Sequence, residues 1–176
     1  MRNFSMGFYT ILDDLYFYQM LSFVRKYSNL ELKLGKYFYN KTKGICPEFI
    51  IVIEKHIFFF VKKESYFISK LYLDSMRREF KSKKIIIIRV ETVFINLLFS
   101  FFPDLYIHDI RIEKDINSGM REISLYFLTY QDRGIAIGRK GEYIKSLNEL
   151  CQKFLILENK ITPLEIKCKT VDLNFQ

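Results

Sequence analysis

The clearest group of residues suited to chemistry in this chain is Gly138-Arg139-Lys140-Gly141, set inside GIAIGRKGEYIKSL (134–147). Glycines open backbone angles closed to other residues and let a ligand approach without a Cβ in the way. An amphipathic run starts at Gly141, so the free amides and dipole of a helix start point over the loop. Arg139 and Lys140 add two positive charges there, and Lys145 follows one turn into the helix, where an ordinary solvated lysine is an equal reading. This combination suits a sugar-phosphate backbone. It does not suit a nucleoside triphosphate, because G-x-x-x-x-G-K-[ST] is absent and Glu142, not a hydroxyl, follows the second glycine. The dinucleotide pattern G-x-G-x-x-G is missing as well. A bare G-x-x-G arises by chance in many proteins, so its weight comes from the elements around it.

Other reactive residue types are sparse. The two histidines, His56 and His108, have no nucleophile suggested by spacing, and adjacency sends His108 and Asp109 to opposite faces of a strand. Cys46, Cys151 and Cys168 lie far apart with no C-x-x-C, which argues against a zinc site or disulfide framework and fits a reducing compartment. Neither an enzyme nor a bound cofactor or metal is expected.

With 28 Lys+Arg against 20 Asp+Glu, the net charge of +8 favours polyanions: nucleic acid or an anionic membrane face. At 176 residues, 49% hydrophobic, with only seven Gly and three Pro, the chain can bury a substantial core. Eighteen Phe, twelve Tyr, no Trp and abundant Ile, Lys and Asn point to an AT-rich genome, such as an organelle's. The N-terminus lacks a signal-peptide pattern, being interrupted by Asp13 and Asp14. The most apolar window, 85–102, barely reaches spanning length and carries Arg89, Glu91 and Asn96. A strand followed by a buried helix is expected there, and no membrane span.

The elements that must hold the loop read as follows. A helix is expected over 11–27, a loop over Lys33–Lys43, and two short buried strands in FIIVI and IFFFV about the turn EKH. Phe67, Ile68, Leu71, Tyr72 and Met76 fall at helical spacing. The basic stretch RREFKSKK (77–84) marks a soft junction, and no internal repeat is visible. Beyond it come a helix over Glu91–Phe102 stopped by Pro103, a strand HDIRIEK, the turn INSG, and a returning strand REISLYFLTY. Asp132 is placed to cap a short helix over 133–137, which Gly138 breaks. The helix from Gly141 carries the stripe Ile144, Leu147, Cys151 and Phe154. Finally LEIKCKT alternates, with Leu164, Ile166 and Cys168 inward, and Lys167 and Lys169 outward and solvated.

GIAIGRKGEYIKSL resembles the I-G-x-x-G core of the KH domain, whose loop clamps nucleic-acid backbone. The order helix-strand-strand-helix-GxxG-helix-strand resembles the type II arrangement. IRIEKDINSGMREISLYFLTYQDRGIAIGRKGEYIKSL is similar to the KH segment of small-subunit ribosomal protein S-three, through Ile110, Ile112, Glu113, Thr129, Gly134, Ile135, Ile137, Gly138, Lys140, Gly141, Glu142, Ile144 and Leu147. LEIKCKTVDL resembles that family's last KH strand and its R-x-P-E-L. The likeness covers about the last eighty residues. Two features depart from the family: its N-terminal G-Q-K-x-x-P-x-G-x-R has no counterpart, nor has its C-terminal domain.

The resemblance implies an α+β fold: a KH type II domain at 81–176, a three-stranded sheet with helices on one face, behind a divergent mixed α/β extension at 1–80. It implies a structural protein of the small ribosomal subunit, in the head near the mRNA entry side, in mitochondria or alternatively plastids. Its partners would be small-subunit rRNA and ribosomal proteins resembling S-ten and S-fourteen, with mRNA as a further candidate, and the C-terminal half would be lost, replaced or encoded as a separate partner chain. The RNA-binding residues implied are Gly138, Arg139, Lys140, Gly141 and Lys145. Two alternatives stand beside this reading. One is a KH transcription or ribosome-assembly factor resembling NusA, which would usually carry further KH or barrel modules, and none is expected from this sequence. The other is an apolar membrane-associated scaffold in which the glycine pair is only a turn.

Overall fold

The computed structural model describes residues 11–172. The first half of the N-terminal stretch read above for a targeting signal lies outside them. The chain is a mixed α+β protein. Its first part runs α1 (Ile11–Tyr18), β1 (Leu21–Phe23), α2 (Asn29–Lys41), β2 (Phe49–Ile53), β3 (His56–Val61), α3 (Lys63–Lys70), α4 (Leu73–Glu79) and β4 (Lys84–Arg89). Its second part runs α5 (Phe94–Ser100), β5 (Asp109–Lys114), β6 (Arg121–Phe127), α6 (Tyr130–Ile137), α7 (Glu142–Phe154), β7 (Leu155–Leu157) and β8 (Glu165–Thr170).

The two parts share a topology that their sequences conceal. In the first sheet, ordered β2-β3-β4, the middle strand is antiparallel to β2 and parallel to β4. In the second, ordered β5-β6-β8, the middle strand is antiparallel to β5 and parallel to β8. Each sheet is entered from a helix, and two helices make each parallel crossover. The repeat is one of backbone path, which hydrophobic pattern alone cannot reveal. It also moves the junction expected after residue 80: β4, the strand that completes the first sheet, begins at Lys84.

The sheets and helices stack in alternating layers. Ile50, Ile57, Phe59 and Val61 face outward onto Leu34, Phe38, Tyr66 and Met76 of α2, α3 and α4. Ile51, Ile53, Phe58 and Phe60 face the other way, into one continuous core with Leu97 and Leu98 of α5 and Leu147 and Leu150 of α7. The far side of those helices meets Ile123, Leu125, Phe127 and Ile166 of the second sheet. Every residue of β3 is therefore buried, because helices cover both faces. Fully burying a side chain such as Phe58 contributes about 2–3 kcal/mol. A two-stranded ribbon, Leu21↔Leu157 to Phe23↔Leu155, ties β1 to β7 just past α7.

The strand pair FIIVI and IFFFV, the strand-then-helix reading of 85–102, and the order of the second part agree with the observed elements. Among the described residues no helix is long and apolar enough to cross a membrane. Two readings of the first part do not hold. The stretch read as a loop over 33–43 is mostly α2, which buries Leu34 and Phe38 and starts from a capping box in which Glu31 accepts the Ser28 N–H at 3.0 Å. The expected helix over 11–27 ends at Tyr18 and becomes β1. The helical spacing of Phe67, Ile68, Leu71, Tyr72 and Met76 agrees with α3 and α4, although Phe67, Ile68 and Leu71 are exposed while Met76 is buried, α3 turning Tyr66 and Ser69 inward.

Candidate nucleic-acid interface

The glycine loop is built by the two helices it separates. Thr129, rather than Asp132, caps α6: its side chain accepts the Asp132 N–H at 3.0 Å. Gly138 then leaves the helix at φ 78, ψ 169, a conformation in which a Cβ would lie 2.7 Å from the Tyr143 Cβ. Only glycine fits there. Tyr143 is itself pinned, its hydroxyl donating to the Phe101 carbonyl at 2.6 Å, and burial pushes its phenol well up. Gly141 is also left-handed, at φ 72, but a Cβ there would meet only Ile137 Cγ2 and Lys145 Cε, each in ordinary contact at 3.9 Å. Lys140, at φ 54, is a non-glycine residue in that same region, which costs about 1–2 kcal/mol.

The loop's amides are partly committed. Gly138 N–H donates to Gly134 O at 3.0 Å, and Gly141 N–H to Gly138 O at 3.0 Å. Glu142 N–H donates to Arg139 O. The glycine amides expected to receive a phosphate are thus turned inward. Arg139 and Lys140 are exposed, and their side chains have no hydrogen bond or ion pair among the described residues.

A cleft of about 380 Å³ brings the loop against a second set of cations from the first part of the chain. Lys55 comes from the β2–β3 turn, and Lys81, Lys83 and Lys84 from the approach to β4. With Arg139 and Lys140 they place six cations around one carboxylate, Glu142. That carboxylate is held by Lys55 at 2.7 Å and Lys84 at 3.6 Å, and the Lys55 hydrogen bond lowers its affinity for protons. Lys145 stands beside Gly141, exposed, outside the lining of this cleft. The two sets, ending at Lys84 and beginning at Arg139, stand more than fifty positions apart in sequence, and no local pattern signals their convergence. The one available sign was the basic run at 77–84.

The outward lysines of β8 have a different role from the solvated one expected. Lys167 pairs with Asp115 at 2.8 Å and Glu122 at 2.7 Å, and Lys169 with Glu113 at 2.8 Å and Glu122 at 2.7 Å. Burial opposes ionisation of Glu122, yet these lysines hold its carboxyl below the usual range. The histidines stay apart from each other: His56, the first residue of β3, is buried, and His108 lies just before β5. Cys151 and Cys168 are buried, and Cys46 is exposed. Among the described residues no group of three or more His, Cys, Asp or Glu is gathered for a metal ion.

The fold and cleft define an α+β protein of two like-wound sheets with a basic seam at a glycine loop. The crystal structure of APE1850 is similar to it, with a TM-score of 0.54 and 17% identity over 81% of this chain and 99% of that one. Coverage of that extent reaches into the first part of the chain, so the likeness in fold takes in residues before the junction. No family model matches, and no curated protein matches.

Proposed function

We propose that this chain is a non-catalytic RNA-binding protein whose residues 94–170 form a KH type II unit. In this reading it is a constituent of the small ribosomal subunit of an organelle, a mitochondrion before a plastid. The observation that carries RNA binding is the loop Gly138–Gly141, from which Arg139 and Lys140 face a six-cation cleft with no acidic partner of their own. The order α5-β5-β6-α6-loop-α7-β8, with β6 antiparallel to β5 and parallel to β8, supports the KH assignment. The ribosomal assignment rests on the S-three-like residues around that loop, and with it the partners: small-subunit rRNA, mRNA, and proteins resembling S-ten and S-fourteen.

A second reading is favoured by the repeated topology. A transcription or ribosome-assembly factor resembling NusA is expected to carry more than one KH module, and the first part of this chain is wound as the second is. Both readings share the loop. Its test is binding of the full chain to a single-stranded RNA across a salt series, beside the double variant Arg139→Ala/Lys140→Ala. Loss of about one to two units of log–log salt slope is the expected result. An unchanged slope and affinity would overturn the assignment of the loop to RNA.

A further inference from the structure

Beside the basic cleft, and sharing Lys81, Lys83 and Lys84 with it, lies a larger cavity of about 560 Å³. Ile135, Gly138 and Tyr143 bring the glycine loop to one wall, the end of α5 forms another, and α3, α4 and β4 supply the rest. The cavity therefore belongs to both parts of the chain.

The strand edges decide where a base can go. In the second part, the edge of β8 is already occupied. Asn148 accepts the Ile166 N–H at 2.7 Å and donates to the Ile166 carbonyl at 2.9 Å, while Arg133 Nε donates to the Cys168 carbonyl at 3.0 Å. In the first part, the edge of β4 is partly open. Lys84 N–H reaches Lys55 O and Val90 N–H reaches Val61 O, so even-numbered amides turn to β3 and those of Ile85 and Ile87 turn to the cavity side. Arg77 Nε covers the Ile85 carbonyl at 3.3 Å. Neither polar group of Ile87 has a partner on that side among the described residues.

A second observation points the same way. Tyr66 lines this cavity, is only 3% exposed, and its hydroxyl has no hydrogen-bond partner among the described residues. Buried phenols ordinarily find one. A cavity with apolar walls from Ile85–Ile87, Phe101 and Phe102, an unpaired hydroxyl and an unpaired strand edge, sharing Lys81, Lys83 and Lys84 with the basic cleft, matches an unstacked nucleobase with its backbone outside.

We propose that single-stranded RNA lies along the seam between the two parts. Its phosphates rest between Arg139-Lys140 and Lys81-Lys83-Lys84, and one splayed base enters the cavity against β4 and the Tyr66 hydroxyl. The inference rests on the reading of the glycine loop as an RNA clamp, and it places the base in the first part of the chain instead of beside β8.

The test uses the full chain and a short single strand rich in 4-thiouridine. Photocrosslinks should fall within α3 to β4 (63–89), and Lys81→Glu should weaken binding about five- to tenfold at moderate salt. Tyr66→Phe, which keeps the ring, should weaken it about two- to fivefold and leave the salt slope unchanged. If Arg139→Ala/Lys140→Ala weakens binding but the crosslinks fall only at α6, α7 and β8, with Lys81→Glu and Tyr66→Phe silent, the seam is overturned and the loop reading stands. If none of these variants alters binding, both are overturned.

Discussion

Nδ1 of His56 lies 2.8 Å from Oγ of Ser146, joining the first residue of β3 to the middle of α7. Both residues are buried, and the contact crosses from one part of the chain to the other. Burial, then the charge of Lys84, pulls the histidine's pKa below its usual 6.5, so the folded state holds the ring neutral. The unfolded chain takes up a proton first as pH falls. The stability that the neutral ring contributes is therefore present above about pH 6.5 and is lost as pH falls from there through the lower folded value. Thermal unfolding followed from about pH 7.5 to 5.5 should show the midpoint declining, and His56→Asn should remove that decline. An equal decline in the variant would mean another group governs this window. Glu113 and Glu122, both held below 4.5, contribute stability that is lost only at more acid pH.

The two loop glycines should differ sharply. Gly138→Ala forces a Cβ against Tyr143 from a glycine-only conformation, and should cost about 2–4 kcal/mol in urea unfolding. Gly141→Ala makes only ordinary contacts, at 3.9 Å to Ile137 and Lys145, and should cost about 1 kcal/mol through its left-handed backbone. Substituting Gly138 with Asp would accordingly disturb the fold as well as the ligand site, so Arg139 and Lys140 are the better probes of binding.

The continuous core between the sheets makes the two parts one cooperative unit. Leu147→Ala, in a fully buried position of α7, should cost about 2–5 kcal/mol. A probe in the first sheet and a probe in the second should lose structure in a single shared transition. Separate transitions would show that the layers fold independently.

Glu122 is 3% exposed and is the shared counter-charge of Lys167 and Lys169. Glu122→Gln should destabilise the chain by about 1–2 kcal/mol at neutral pH, because the lysines are partly solvated and keep Asp115 and Glu113. RNA affinity should be unchanged, since these residues lie outside the basic cleft. A marked change in affinity would extend the interface to this sheet face.

The second part of the chain was readable because each signal was local. Alternation gave β5, β6 and β8, Pro103 followed the end of α5, and Gly138 marked the break before α7. The first part resisted for physical reasons. β3 is covered on both faces and shows no alternation, while α2 hides its apolar positions among lysines and tyrosines. The capping box at Ser28 and Glu31 was there to be used. The parallel pairing of β3 with β4 spans two helices and leaves no mark in composition. Half of the candidate site was visible, as the glycine loop; Lys55 and Lys81–Lys84 join it only through that pairing.

Gradient sedimentation of organelle lysate, with the tagged full chain crosslinked to RNA in place, tests the central claim most directly. The account predicts comigration with the small ribosomal subunit, crosslinks to its rRNA, and loss of both on charge reversal of Arg139 and Lys140. Recovery of the chain free of ribosomal RNA, or in carbonate-resistant membranes, would contradict it.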